Sequence, residues 1–157
     1  MDRCAQALNY HHQGYNCAQS VAGAFADLLG MNTEQVASFA GGFGGGVGGS
    51  HEELCGAVSG GVMVLSALFP HDKAEDTAAK RRIYGLSKTF RSRFAEIFGM
   101  TCCGDLLKAC PGLSEATPAA TRLGVSGHCD IMIVTAVELV EQMLEEVGRE
   151  KEKTHED

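Results

Sequence analysis

The sequence has no tryptophan, and aromatic residues make up only 6% of its 157 residues. Glycine and alanine are abundant instead, and such small side chains are typical of closely packed helices. The sequence also lacks an apolar run long enough to span a membrane. Its most apolar stretch, residues 55–69, has 15 residues and is interrupted by three glycines. We therefore expect a buried central helix there, and no membrane as a partner.

Two further features are missing: an apolar signal region at the N-terminus and an excess of positive charge. The first residues read MDRCAQALNYHHQ, so we expect a cytoplasmic protein. The formal net charge is −7 and the pI is about 5.3. This charge argues against nucleic acid or an anionic membrane as the main partner.

Helical patterns run along most of the chain, and its length suits a single domain with its own core. We predict an all-α, compact helical bundle of about five to seven helices, with a glycine-rich loop before the central helix. This domain spans residues 1–148, and residues 149–157 form a charged C-terminal tail. Besides the central helix, the predicted helices cover residues 2–12, 15–29, a short stretch from 32 or 33, 72–98, 101–110 and 126–148. Residues 111–127 are predicted to be a loop.

The glycine-rich loop has seven glycines in the ten positions 41–50. At its end, Ser50 and Glu53 have the spacing of a capping box, in which each side chain binds the backbone N–H of the other residue. This pattern predicts that the central helix starts at Ser50. Cys55 would then lie near the first exposed amides, where the helix dipole favours a thiolate.

The glycines also match, formally, the dinucleotide-binding fingerprint Gly44-x-Gly46-x-x-Gly49. That fingerprint needs a preceding strand, but the segment before it has a helical pattern. We therefore interpret the loop as one that bends tightly around a cofactor or against the core. Further on, Gly56 and Gly60 lie four residues apart. They clear one side of the helix for the close approach of another backbone or an inorganic group.

Seven cysteines are more than an ordinary cytosolic protein carries. An odd number without a signal peptide argues against a secreted disulfide framework, so thiol chemistry or metal binding is expected. Four of the cysteines lie near predicted helix N-termini, and at least Cys17 and Cys129 face the predicted core. Converging thiolates with N–H donors around them suit an anionic iron–sulfur cluster. The four are Cys17, Cys55, Cys103 and Cys129, whose spacing matches no short metal motif.

These residues carry a resemblance that covers nearly the whole chain, from about residue 10 to residue 145. The order of Cys17, the motif Cys55-Gly56-Ala57-x-x-Gly60, the motif Cys103-x-x-Leu106-Leu107 and Cys129 resembles the C_GCAxxG_C_C family of redox-active proteins. The resemblance implies redox activity, with these four cysteines as the cofactor-binding and metal-binding residues. A related helical domain, in split-Soret cytochromes, is associated with a [2Fe–2S] cluster. A [2Fe–2S] cluster is therefore the implied cofactor, while the absence of a Cys-x-x-Cys-His motif means that no haem part is present.

Three functions stay open on this sequence, and neither an enzymatic activity nor a substrate can be assigned. The first is a cluster-bearing protein for electron transfer or redox sensing. The second is a thiol–disulfide protein that cycles the same cysteines. The third is a structural zinc site, or simply buried cysteines, in a helical interaction module. The register Cys-x-x-Leu-Leu favours Cys103 over Cys102 as the ligand, and Cys4 and Cys110 have no assigned role.

Four histidines lie near these elements. His11 and His12 end the first predicted helix, and because adjacent residues point in different directions, we do not expect a joint metal site there. His51 and His128 lie near cysteines in sequence. Each is interpreted as a polar residue at a helix start, or alternatively as a donor to sulfur or part of a proton path.

The helix predicted over residues 72–98 has a basic outer surface. It is either a solvated face or a docking surface for an acidic redox partner protein. Pairing of two copies through the small-residue helix, giving a homodimer, is also left open. The basic residues are Lys80, Arg81, Arg82, Lys88, Arg91 and Arg93.

Overall fold

The computed structural model describes residues 1–109 and 117–156 of the chain. Within these residues it contains eight α-helices and a short 3₁₀ helix at Gly41–Phe43. The predicted all-α class is therefore confirmed, with slightly more helices than the five to seven expected. None of the helices described is both long and apolar enough to cross a membrane. The α-helices are α1 (Arg3–Gln13), α2 (Cys17–Gly23), α3 (Thr33–Ala40), α4 (Gly56–Leu68), α5 (Thr77–Phe98), α6 (Cys103–Ala109), α7 (Pro118–Leu123) and α8 (His128–Glu156).

The core lies between α4 and the surrounding helices α2, α5 and α8. α4 is the expected central helix, and most of its first ten residues are buried. α5 contributes a stripe of apolar side chains, in which Phe90 and Phe94 are fully buried. α8 contributes an unbroken buried run, Ile131–Val137. One hydrophobic core therefore joins residues from both ends of the chain.

The small residues of α4 allow two neighbours to approach its backbone. A Cβ atom built at Gly60 would lie 2.8 Å from the carbonyl oxygen of Ala18 in α2. One built at Gly61 would lie 2.2 Å from the ring of Phe90 in α5. The close approach expected at this helix is thus present, and it is made by elements of the same chain.

Several helix ends follow from local capping. The side chains of Asp2, Asn16 and Asn32 accept hydrogen bonds from the first turns of α1, α2 and α3, as side chains of these types do at helix N-caps. Gly99 ends α5 in the left-handed conformation, at φ 78°. Asp76 caps α5, which therefore starts at Thr77, five residues after Asp72, the predicted start.

The start of the central helix was predicted wrongly. α4 begins at Gly56 with Cys55 as its N-cap, and Ser50 does not cap it. The Ser50 hydroxyl instead donates a hydrogen bond of 2.6 Å to the Gly46 carbonyl inside the glycine-rich loop. The loop therefore uses the side chain that a capping box would need.

Three other boundaries differ from the prediction. α2 was predicted to continue to Leu29 but ends at Gly23, and residues 24–30 form turns. Within the predicted loop, α7 forms behind the N-cap Thr117 with Pro118 in its first turn, a position that proline suits. α8 does not end near Gly148 but continues to Glu156. Residues 148–156 are all exposed, and the domain limit at 148 stays a prediction.

Candidate metal and redox site

The four cysteines singled out in the sequence line one cavity of about 110 Å³. Each lies at the start of a different helix. Cys17 and Cys103 are the first residues of α2 and α6, Cys55 is the residue before α4, and Cys129 is the second residue of α8. Cys55 is buried, with 5% of its surface exposed, and the other three are half-buried. The structure therefore brings together thiols that lie up to 112 positions apart in sequence (17 to 129).

The glycine-rich loop forms one wall of this cavity, and several of its glycines have a left-handed backbone conformation. Gly46 has φ 73°, and a Cβ atom there would lie 2.7 Å from the Cβ of Cys103. Gly44 faces the side chain of Asn16, which would lie 2.2 Å from an added Cβ. Asn16 caps α2 and also donates a hydrogen bond of 2.9 Å to the Gly41 carbonyl. Asn16 thus holds both the start of α2, where Cys17 lies, and the glycine-rich loop in place. The loop packs against the core, as expected.

Backbone hydrogen bonds hold the segments of Cys55 and Cys103 together. The Cys55 N–H donates to the Thr101 carbonyl at 2.8 Å, and the Cys103 N–H donates to the Glu53 carbonyl at 2.9 Å. A bridge between Leu54 and Cys102 lies between them. The start of α4 is therefore set by a contact with a segment almost 50 residues away, rather than by a local cap.

Cys17 and Cys129 are close neighbours within the site. Their sulfur atoms and one ring nitrogen of His11 all lie within 4.8 Å of one another. A hydrogen bond between the two thiols raises the pKa of Cys17 and lowers the pKa of Cys129 to about 7. His11 adds to the lowering. The pair therefore loses its first proton more readily than a free thiol and holds its second proton strongly.

The other two thiols are held in the neutral form. Burial raises the pKa of Cys55 to about 11, although the amides of Ala57 and Val58 act in the opposite direction. Burial and the neighbouring Cys129 and Cys102 also raise the pKa of Cys103. Four thiolates would thus be stable together only if a positively charged group compensated their repulsion and their loss of hydration.

The remaining lining of the cavity is mostly apolar and includes two histidines. Met132 is fully buried, and Leu107 lies at the mouth. His128 has a buried Nδ1 atom with no hydrogen-bond partner, and burial lowers the pKa of its ring. His51 lines the cavity with its backbone in the left-handed region, at φ 61°. An unsatisfied buried nitrogen beside four thiols fits a site that receives a further polar group.

The three other cysteines were left without a role in the sequence. Cys4 is buried, and its thiol donates to the Val134 carbonyl at 3.5 Å; burial raises its pKa to about 12. The Cys102 thiol donates to the Glu52 carbonyl at 3.5 Å. Cys103, rather than Cys102, contributes to the cavity lining. Cys110 lies outside the described residues.

His11 and His12 contact the same carboxylate group, although adjacent residues were expected to point in different directions. His11 Nδ1 lies 2.7 Å from one carboxylate oxygen of Asp130, and His12 Nε2 lies 2.9 Å from the other. Two adjacent residues can reach the same carboxylate because His11 uses the ring nitrogen nearer its backbone and His12 the more distant one. The sequence offered no signal for this contact, since Asp130 follows more than 115 positions later.

A groove of about 570 Å³ runs along the basic face of α5. Arg81, Lys88 and Arg91 line it, and Leu54 lies on its wall, next to Cys55 in sequence. None of the three cations forms an ion pair within residues 1–109 and 117–156. Of the other basic residues, Arg93 binds Glu146 through two hydrogen bonds. The groove is therefore a positively charged surface beside the cysteine cavity.

Comparison with known proteins identifies the family. A family model described as "Putative redox-active protein (C_GCAxxG_C_C)" matches residues 15–143. This match covers well over half of the chain and confirms the resemblance predicted from the cysteine motifs, so the chain belongs to this family. No curated protein and no solved structure matches it.

Proposed function

We propose that this member of the C_GCAxxG_C_C family holds an iron–sulfur cluster of the [2Fe–2S] type and uses it for electron transfer or redox sensing. Its thiolate ligands would be Cys17, Cys55, Cys103 and Cys129. The observation that carries the proposal is that these four cysteines, each from a different helix start, line one cavity. The [2Fe–2S] type is proposed because a related helical domain, in split-Soret cytochromes, is associated with such a cluster. A bound cluster would supply a one-electron carrier, whose potential depends on burial and on hydrogen bonds to its sulfur atoms.

The size and the chemistry of the cavity both support this assignment. A cavity that holds one water molecule needs about 10–15 Å³, and this one measures about 110 Å³. It is therefore larger than a single zinc ion requires, because four sulfurs at about 2.3 Å from one ion leave little space between them. Because the pKa values of Cys55 and Cys103 are raised, these residues would act as thiolate ligands only with a cationic centre that displaces their protons.

The chain itself would control the surroundings of the cluster. Met132 and Leu107 place apolar atoms on the cavity lining, which would lower the local dielectric constant and strengthen the electrostatic interactions there. The His128 ring has a free buried Nδ1 atom that can donate a hydrogen bond to a sulfur atom. The N-termini of the longer helices direct their dipoles toward the same space. These are the features that an anionic cluster needs from a protein.

A redox partner protein is part of the proposal. The groove along α5 would bind an acidic surface of that partner, since Arg81, Lys88 and Arg91 have no ion-pair partner among the described residues. Leu54 connects the wall of the groove to Cys55. Electrons would then leave or enter the site over a short distance. Location in the cytoplasm, where thiols stay reduced, remains the expected compartment.

Thiol–disulfide exchange is the second candidate, and the Cys17–Cys129 pair favours it. The two sulfurs are neighbours, and the pair loses a proton more readily than a free thiol. In this reaction the Cys129 thiolate attacks a disulfide substrate, and the Cys17 thiolate then attacks the mixed disulfide. A Cys17–Cys129 disulfide forms, and the substrate leaves as two thiols with the two electrons. Peptide mapping after treatment with oxidised glutathione would detect that bond.

The proposal is tested by measuring iron and acid-labile sulfide in anaerobically purified protein. We expect both in the wild type, with visible absorption, and we expect both to be lost in Cys55→Ser and Cys103→Ser. Cys102→Ser is the matched control, because its side chain is the sequence neighbour of Cys103 and does not line the cavity. It should retain iron and sulfide.

Folded wild-type protein without iron, even after reconstitution, would overturn the cluster and favour the disulfide reaction. Tightly bound zinc without redox activity would favour a structural metal site instead.

A further inference from the structure

A second group of metal-ligating side chains lies outside the cysteine cavity, where the end of α1 meets the start of α8. It consists of His11, His12 and Asp130, whose nearest ring nitrogens and carboxylate oxygens are 2.7 Å and 2.9 Å apart. The left-handed Gly14 ends α1 immediately after these histidines. Asp130 belongs to the first turn of α8. The two helix ends are therefore joined by three side chains that all carry ligand atoms.

The spacing of the three side chains fits one ion. One donor atom from each residue can be chosen so that all three lie within 4.8 Å of one another. Imidazole nitrogens and carboxylate oxygens bind zinc at about 2.0–2.2 Å, so ligands of one ion lie at most about 4 Å apart. Two ligands of one tetrahedral zinc ion lie roughly 3.3–3.6 Å apart, so both rings would have to move slightly away from the carboxylate. The His12 side chain is 58% exposed and has room to do so. Asp130, at 18%, is held more firmly.

We propose that His11, His12 and Asp130 form a site for a divalent transition-metal ion of the zinc class. Two imidazoles and one carboxylate are ligands that zinc and similar divalent ions accept. The exposure of His12 leaves room for water at a further coordination position. Without an ion, the same atoms are satisfied by hydrogen bonds between the imidazoles and the carboxylate, so the site is preformed. An ion there would join α1 to α8.

This site is separate from the cluster site in its ligands and in its chemistry. His11 has a nitrogen within 4.8 Å of the sulfurs of Cys17 and Cys129 and therefore lies between the two sites. His12 and Asp130 do not line the cysteine cavity. A change at His12 should consequently affect the second site alone.

The test is titration with Zn²⁺, followed by equilibrium dialysis and metal analysis, on the anaerobically purified full chain. We expect the wild type to bind one Zn²⁺ more per chain than His12→Gln, or to bind that ion at least tenfold more tightly. Asp130→Asn should show the same loss. His155→Gln is the matched control, because it removes an exposed histidine in the last turn of α8. It should bind Zn²⁺ as the wild type does.

Equal stoichiometry and affinity in the wild type and His12→Gln would overturn this site. An equal loss in His155→Gln would overturn it too, because zinc would then be binding to surface histidines in general. Iron and sulfide are measured in the same samples. If they are absent from the wild type and from His12→Gln alike, the cluster proposal fails, while the difference in Zn²⁺ binding still decides the second site.

Discussion

The cysteines of the cavity differ in acidity although they are the same residue type. Cys55 is surrounded by apolar atoms and keeps its proton, whereas Cys129 shares a proton with Cys17 and lies near His11. The difference comes from contacts between α1, α2 and α8, so it exists only in the folded chain. The difference in acidity between these thiols therefore reports on the packing of the helices even in cofactor-free protein.

We expect Cys129 to be the first cavity thiol that becomes reactive in cofactor-free protein as the pH rises. The hydrogen bond from Cys17 lowers the pKa of Cys129 to about 7, so its thiolate fraction increases through neutral pH and levels off above it. In Cys17→Ala the donor is lost while burial, which raises the pKa, remains. The midpoint should therefore move to higher pH. The measurement is the rate of iodoacetamide labelling of each cysteine, followed by peptide mass analysis.

Cys4 serves as the internal control in the same samples. Burial raises its pKa to about 12, so it should stay unlabelled at neutral pH in both proteins. An unchanged midpoint for Cys129 in Cys17→Ala would show that the two thiols do not share a proton.

At the residue scale, the sequence predicted that four cysteines lie near helix N-termini, but not which side chains they contact. The four do lie at or next to the starts of different helices, although the start predicted for α4 was wrong. The contact of His11 and His12 with Asp130 depends on how α1 packs against α8, and no pattern within a few residues reports that. Side-chain contacts across the chain are therefore the part of the site that sequence reasoning missed.

At the scale of the helices, a start was predictable when residues adjacent in sequence determine it. The starts of α1, α2 and α3 were predicted to within two residues because each is set by an adjacent side-chain cap, at Asp2, Asn16 and Asn32. The start of α4 was missed because a long-range contact, from the Cys55 N–H to the Thr101 carbonyl, sets it. α7 was missed for a different reason. Its Thr117–Pro118 start is a local signal that the loop-like composition outweighed.

The packing of α4 on α2 predicts opposite effects for two glycine substitutions in helices. In Gly60→Ala the new methyl group would lie 2.8 Å from the Ala18 carbonyl oxygen and 3.0 Å from Cβ of Val21. Backbone cannot move aside cheaply, so we expect a loss of about 1–3 kcal/mol in the free energy of unfolding. In Gly85→Ala, within α5, the methyl group meets nothing within 4 Å, and a gain of about 0.5–1 kcal/mol is expected.

Urea denaturation followed by circular dichroism measures both changes. If Gly60→Ala were as stable as the wild type, α2 and α4 could not pack as closely as described.

At the scale of the whole molecule, charge is distributed unevenly. The chain has a formal net charge of −7, but the groove along α5 is lined by Arg81, Lys88 and Arg91. An acidic surface on a partner protein would complement the charge of this groove. The glycines of α4 pack inside the chain, so a homodimer, which stays a prediction, would have to use another face.

The groove predicts a charge-dependent rate of electron transfer from the reduced, cluster-loaded protein to the anion ferricyanide. The double variant Lys88→Glu/Arg91→Glu should slow this reaction by roughly tenfold at low ionic strength. The difference should shrink in high salt, because exposed charges are then screened. Stopped-flow absorbance of the cluster measures the rate.

The double variant Lys151→Glu/Lys153→Glu changes the net charge equally at the exposed end of α8. If it slowed the reaction as much, overall charge rather than the groove would steer the acceptor.

The four cavity cysteines come from helices that begin at the start, middle and end of the chain, and this affects when the site can form during synthesis. Residues 1–109 already contain Cys17, Cys55 and Cys103, but the last wall of the cavity is absent until α8 has left the ribosome and packed. Under the proposed function, loading of the cluster would therefore follow the packing of α8. A nascent chain can bury part of its core early, yet its fourth cysteine joins the cavity only after α8 has packed.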